Sequence, residues 1–167
     1  PNFKGAADAA RRLLADPVFA GVRRIKVNPD APQRPVRLAA LQRGIVVYMP
    51  SPRLKAGFIE LDPARIPAEH LARAASMSHA ATWGREISVH ELPAMDLVVT
   101  GSVAVTAVGE RCGKGHGFSD IEYAVLRELG HPPAPVVTTV HDIQVVGGFP
   151  IDDHDLTLAR IFTPTRT

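Results

Sequence analysis

Residues 111–120 read Arg-Cys-Gly-Lys-Gly-His-Gly-Phe-Ser-Asp, with glycine at 113, 115 and 117. Glycine tolerates φ > 0 and lets backbone N–H groups approach a ligand closely. The stretch leads into a helical pattern from Ile121 to Leu129. A loop of this kind, placed before the positive end of a helix dipole, makes an anion site. Arg111 adds a planar fork and Lys114 a point charge, both suited to phosphate oxygens. Asp120 is read either as the helix cap or as a Mg2+ ligand, because Mg2+ takes one or two carboxylates together with phosphates. With Ser119 as the cap, Asp120 is left for the metal. The competing reading of the whole loop is a plain connection whose glycines serve tight turns. The spacing is neither a Walker A loop nor a Rossmann fingerprint.

Other groups carry less. No H-x-x-x-H or H-E-x-x-H pattern occurs among the seven histidines, so no histidine metal site is expected. The single cysteine, Cys112, excludes a disulfide framework. Pro50-Ser51-Pro52-Arg53 follows a strand end, where α/β proteins bind ligands. Arg53 is therefore an anion-contact candidate, set against a solvated side chain. His154-Asp155 reads as a pair that could orient a catalytic group, or as loop hydrogen bonding. Trp83 and Phe58 could line a pocket, and packing is the favoured reading of both.

These residues need a scaffold. Ala6, Ala9, Ala10, Leu13 and Leu14 recur at helical spacing, and Asp16-Pro17 closes that helix. Arg24 to Val27 reads as a strand. Residues 36–43 read as a second helix, with Pro35 in its first turn and Gly44 just past its end. Residues 45–49 and 96–100 are apolar runs that suit strands buried on both faces, as in parallel sheets. Further strands are expected over 103–108, 136–140 and near 158–162, and a helix over 68–81. The proline-rich segment 50–67 and residues 109–119 are expected to be loops. Helices alternate with buried strands, so the class is α/β with a mostly parallel sheet.

The chain has 167 residues, enough for one domain. Its 46% hydrophobic and 22% charged content is globular. No run of 18 apolar residues and no charged-then-apolar leader is visible, so neither a membrane partner nor export is expected. The formal charge is +2, and the longest basic clusters are Arg11-Arg12 and Arg23-Arg24, so a nucleic-acid partner is not expected.

The decapeptide resembles the signature of the 5-formyltetrahydrofolate cyclo-ligase (5,10-methenyltetrahydrofolate synthetase) family, R-x-G-x-G-x-G-[YF]-x-D. Arg111, Gly113, Gly115, Gly117, Phe118 and Asp120 meet its fixed positions. Asp96 to Gly101 is similar to the family's strand ending in Pro-Gly, with Thr100 in place of the proline. Gln144, Phe149-Pro150, His154-Asp155 and Thr163 resemble its C-terminal run. Residues 1–6, 25–30 and 101–105 are similar to the methenyltetrahydrofolate-synthetase-domain-containing branch. The resemblance implies a three-layer α/β sandwich like ribose-5-phosphate isomerase and CoA transferases. It also implies one cyclo-ligase-like domain over 1–167 whose N-terminal helix, with its Lys and Arg contacts to ATP, would precede Pro1.

The activity implied is ATP- and Mg2+-dependent conversion of 5-formyltetrahydrofolate to 5,10-methenyltetrahydrofolate in a cytoplasmic monomer or homodimer. The alternative is a paralogue that binds a nucleotide or a thiamine- or folate-type ligand without that chemistry. Arg111 and Lys114 would be catalytic. Arg111, Gly113, Lys114, Gly115, His116, Gly117 and Phe118 would hold ATP, and Asp120 the metal. Pro50, Arg53, Gln144, His154 and Asp155 would line the ligand pocket. The family's substrate-contacting Glu is compared with Gln33 to Arg37, which contains no carboxylate.

Overall fold

The computed structural model describes residues 3–51, 57–113, 118–151 and 156–167, with residues 118–122 described by backbone alone. In chain order the elements are α1 (Ala6–Ala15), β1 (Arg24–Val27), α2 (Arg34–Gln42), β2 (Val46–Pro50), β3 (Phe58–Leu61), α3 (Leu71–Ala74), α4 (Ala80–Trp83), β4 (Arg85–Ile87), β5 (Leu97–Thr100), β6 (Ala104–Thr106), β7 (Arg111–Cys112), α5 (Phe118–Glu128), β8 (Val136–Thr139), β9 (Val145–Val146) and β10 (Arg160–Phe162).

Seven strands form the main sheet in the order β10-β8-β5-β1-β2-β3-β4. From β10 to β2 every neighbouring pair is parallel; β3 and β4 are antiparallel additions at one edge. A second sheet has the order β7-β6-β9. Strand residues alternate between the two faces of the main sheet. Ile25, Val27, Val47, Leu97, Val99 and Val137 share one core with Ala10 and Leu13 of α1 and Ala40 and Leu41 of α2. Tyr48, Val98 and Val136 share the other with Leu126 of α5 and Val105 of the small sheet. The sheet is thus covered on both faces, as a mostly parallel sheet requires.

Local chemistry sets the element ends. Asp16 stops α1, and its side chain accepts from Val18 N at 2.9 Å, capping the short turn that starts at Pro17. Gly44, just beyond α2, has φ +78°, the left-handed conformation that ends helices.

Four expectations need correction. Residues 50–67 are not all loop, because Phe58–Leu61 is a strand paired with β2 from Pro50↔Phe58 to Val47↔Leu61. The surrounding prolines hid its period-two pattern. The helix expected over 68–81 is broken: a turn at 68–70 and α3 are followed by a gap before α4. Ser76 Oγ donates to Arg73 O at 2.7 Å and lies 3.2 Å from His79 Nδ1, so side chains there compete for the helix's groups. The strand expected over 103–108 is the shorter β6, which belongs to the small sheet. The expected loop 109–119 contains β7 at its start, and α5 already begins at Phe118. Among the described residues no helix is long and apolar enough to cross a membrane.

Candidate functional site

From β1 the chain runs through α2 to β2 on one side of β1; β5 later lands on the other side. α2 covers one face of the sheet and α5, after β5, covers the opposite face. The carboxyl ends of β1 and β5 therefore bound a crevice at a topological switch point, where open α/β sheets bind ligands. Polar residues gather at these strand ends: Asn28 and Asp30 after β1, Thr100 and Ser102 at β5, Thr138 and Thr139 at β8.

Arg111 lies against the β5 end of this crevice, only 6% exposed. Its Nη2 donates to Gly101 O at 2.7 Å and its Nε to Ser102 Oγ at 3.3 Å. Ser102 Oγ lies 2.9 Å from Thr138 Oγ1, which donates to Thr100 O at 2.7 Å. The small sheet is thereby strapped to the ends of β5 and β8. A Cβ at Gly113 would sit 3.0 Å from Arg111 Nη2, so glycine there leaves room for the guanidinium. Gln144 adds a second brace. Its Nε2 donates to Ser102 O and Val103 O at 3.0 Å each, and its Oε1 accepts from His141 N at 2.7 Å.

The β1 side is built around Arg37, 1% exposed. Its Nη1 donates to Asn28 O at 2.6 Å and Asp30 O at 2.8 Å, and its Nε to Ala75 O at 2.8 Å. Burial pulls its pKa down to about 10, with Asp30 opposing the fall, so the group is still charged at neutral pH. Lys26 Nζ, also 1% exposed, donates to Asn28 Oδ1 at 2.9 Å. Gln33 Nε2 donates to Thr139 Oγ1 at 3.2 Å and to Thr139 O at 3.5 Å. Gln33 Oε1 is buried with no partner among the described residues. A buried acceptor left so costs about 1–3 kcal/mol.

Asp30, Gln33 and Arg37 were missed from the sequence as site residues. Asp30 is the carboxylate nearest before residues 33–37. The signal available was the polar run Asn28-Pro29-Asp30 directly after a buried strand.

Of the residues expected to form the site, Arg111, Gly113 and Gln144 come together at the β5 end of the crevice. Pro50 ends β2, is buried, and pairs with Phe58. Phe118 and Asp120 lie in the first turn of α5, so Asp120 sits inside the helix rather than ahead of it. An acidic residue there is favoured by the helix dipole. Lys114, Gly115, His116, Gly117, Arg53, His154 and Asp155 lie outside the described residues. Phe58 is a core residue, and Trp83 packs against the other core while stacking on His70 at 4.3 Å. Among the described residues no group of three or more His, Cys, Asp or Glu could hold a metal ion.

The profile of the 5-formyltetrahydrofolate cyclo-ligase family matches residues 1–164. The chain is 43% identical over 173 aligned positions to the mouse methenyltetrahydrofolate synthase domain-containing protein, covering 99% of this chain and 46% of that protein. The human protein of that name is 39% identical, with 99% of this chain and 45% of that protein covered. The chain thus spans less than half the length of these relatives. The Escherichia coli K12 5-formyltetrahydrofolate cyclo-ligase is 32% identical over 75 residues, 45% of this chain and 40% of that one. Two solved structures share the fold. The 5,10-methenyltetrahydrofolate synthetase from Mycoplasma pneumoniae has a TM-score of 0.61 at 14% identity over 95% of this chain and 84% of its own. That from Aquifex aeolicus has a TM-score of 0.62 at 16% identity over 97% and 79%.

Proposed function

The chain belongs to the 5-formyltetrahydrofolate cyclo-ligase family, and from that premise we propose that it converts 5-formyltetrahydrofolate to 5,10-methenyltetrahydrofolate with ATP and Mg2+. One observation carries the reading. The family signature begins at Arg111, which is tied to Gly101 beside the crevice where β5 ends, and it runs into α5 at Phe118. An eleven-residue helix has first-turn N–H groups without intrahelical partners, a donor set suited to phosphate.

In this reading ATP supplies the phosphoryl group that makes the formyl oxygen a leaving group. The chain's own part is to bind, orient and neutralise charge. Lys114 and the backbone of the glycine segment would hold phosphate oxygens. Asp120 holds Mg2+. Arg111 keeps the Gly101–Ser102 turn in place and, on the family pattern, faces the phosphates. Gln144 fixes the same turn from the other side.

The test is to mix the protein with Mg-ATP and 5-formyltetrahydrofolate and follow methenyltetrahydrofolate absorbance. Turnover is expected, and Lys114→Ala should lower it by roughly 100-fold, the scale of one lost charge-stabilising donor. No turnover in the intact protein overturns the reading.

A second reading is favoured by the relatives. The mouse and human proteins are named for the domain, whereas the enzyme from Escherichia coli aligns with only 45% of the chain. On that reading the protein binds a nucleotide or a folate- or thiamine-type ligand without cyclisation. A rise in Tm with Mg-ATP but no turnover would select it.

A further inference from the structure

The small sheet carries a surface that the crevice does not use. Among the described residues six large apolar side chains are exposed, and five of them belong to this sheet or flank it: Val103, Val108, Ile143, Val146 and Ile151. Val103 directly precedes β6, Val108 stands in the turn between β6 and β7, and Val146 ends β9. β6 and β9 run parallel, with Val105 opposite Val145 and Thr106 opposite Val146. Gln144 Nε2 holds Val103 O at 3.0 Å, so Val103 and Ile143 flank the start of the pair. Val146 and Val108 mark its other end. Ile143 is 81% exposed and Val108 76%.

β9 is also an edge. In the order β7-β6-β9 no described strand pairs with its outer side, and no hydrogen bond from beyond the sheet reaches the backbone of Val145 or Val146 among the described residues. Val145 packs on the core while Val146 turns outward. The edges of the main sheet are guarded against further pairing. β4 exposes Arg85 and Glu86, and β10 exposes Arg160, held 3.4 Å from Asp16. β9 has no such guard: residues 101–108 and 143–151 contain no charged side chain.

We propose that β9 pairs, antiparallel and across a two-fold axis, with β9 of a second copy of this chain, so that the apolar side chains around it are covered at the seam. Charge and area both select a second copy. Across a two-fold axis a surface meets itself, and charged residues there would face their own sign; a surface free of charge is self-complementary. Five partly exposed Val and Ile side chains leave on the order of 300 Å² of apolar surface, the size that marks an interaction site. Two copies bury about 600 Å² of it, and at an apolar fraction of about 60% the whole interface is roughly 1,000 Å². That is the lower bound for a specific contact, so the dimer is a weak one. It leaves the crevice chemistry untouched.

The test is sedimentation equilibrium of the intact protein over a wide concentration range. The mass is expected to rise from 17.9 kDa toward twice that value. Half-association is expected at roughly 1–100 μM, as for a small interface. Amide exchange at residues 145–147 should slow as the concentration rises. Ile143→Lys sets a charge on each side of the seam at a side chain exposed enough to leave the fold unchanged. It should weaken association by about tenfold or more, with Tm at low concentration unmoved. Should that variant disturb the turn at 142–144, Val146→Lys, on the strand itself, is the second probe and should act the same way. Met77→Lys, at the exposed large apolar side chain away from this sheet, should leave association as it is. A dimer that both Ile143→Lys and Val146→Lys leave intact overturns the proposal. A chain that stays monomeric at the highest concentration leaves the edge to a different protein and overturns it too.

Discussion

Arg111 Nη2 lies 2.7 Å from the carbonyl oxygen of Gly101, so the first residue of the family signature is tied to the turn after β5. The same guanidinium holds Ser102 Oγ at 3.3 Å. Arg111→Ala would leave a carbonyl and a hydroxyl short of a donor. A loss of about 2–4 kcal/mol is expected from two such groups. Urea unfolding should show the midpoint fall with the slope unchanged. Arg111→Lys should recover less than half of that loss, since an ammonium cannot reproduce the fork. A variant as stable as the wild type would show that the strap is not structural.

Arg37 satisfies three carbonyls on two separate segments, at Asn28, Asp30 and Ala75. Arg37→Met keeps much of the buried volume and removes all three donors. It should cost about 3 kcal/mol or more. Amide exchange should rise at residues 28–33 and 71–75 before it rises elsewhere. Uniform loss of protection across the sheet would count against a local clamp.

Asp142 Oδ1 accepts from Thr163 Oγ1 at 2.5 Å and Thr165 Oγ1 at 2.7 Å. The Thr163 bond, then the Thr165 bond, hold its carboxyl below the usual carboxylate range, with Arg166 helping. A depressed native pKa contributes stability that is present above the unfolded value near 3.9 and is lost as pH falls through the native value. An NMR carboxyl titration should place the Asp142 midpoint below that of an ordinary aspartate, and Thr163→Val should raise it. An unmoved midpoint in the variant would refute the assignment.

Tyr48 OH donates to Glu60 Oε2 at 2.8 Å, and Arg85 Nη2 holds Glu60 Oε1 at 3.2 Å. Burial first, and then the Glu60 bond, raise the phenol above its ordinary value. A raised native pKa means that this group's contribution is full below about pH 10 and is lost as pH rises through the native value. One of the two tyrosines should therefore ionise only as the protein unfolds in alkali. Tyr48→Phe should remove that phase from the ultraviolet titration; a phase that persists would refute the assignment.

Gly109 has φ +92°, and a Cβ there would meet Leu158 O at 2.5 Å. Its carbonyl accepts from Leu158 N at 2.7 Å, so the turn between β6 and β7 docks closely on the chain before β10. Gly109→Ala meets both a left-handed backbone and a backbone clash. It should lower Tm by roughly 4–10 °C, taking about 2 kcal/mol or more at the scaling for a domain of this size. An unchanged Tm would mean that the docking is loose.

The sequence by itself determined the parts whose signals are local. α1 ends where Asp16-Pro17 says it must, β1 spans Arg24–Val27 as its alternation implies, and Gly44 stops α2. The apolar runs ending at Met49 and Thr100 are buried strands because nothing polar interrupts them. The alternating glycines and their basic neighbours mark the family segment without any fold. Tertiary structure decided what needs partners distant in the chain. Phe58–Leu61 becomes a strand because β2 lies open beside it, although the prolines around it read as loop. Residues 104–106 pair with 111–112 and 145–146 rather than joining the main sheet. Arg111 and Gly101, Gln33 and Thr139, Arg37 and Ala75 meet only once parallel strands stack their carboxyl ends on one edge. Side-chain type along a chain specifies local backbone preference, but which acceptor an arginine reaches, and which buried oxygen is left without a donor, depends on strand order.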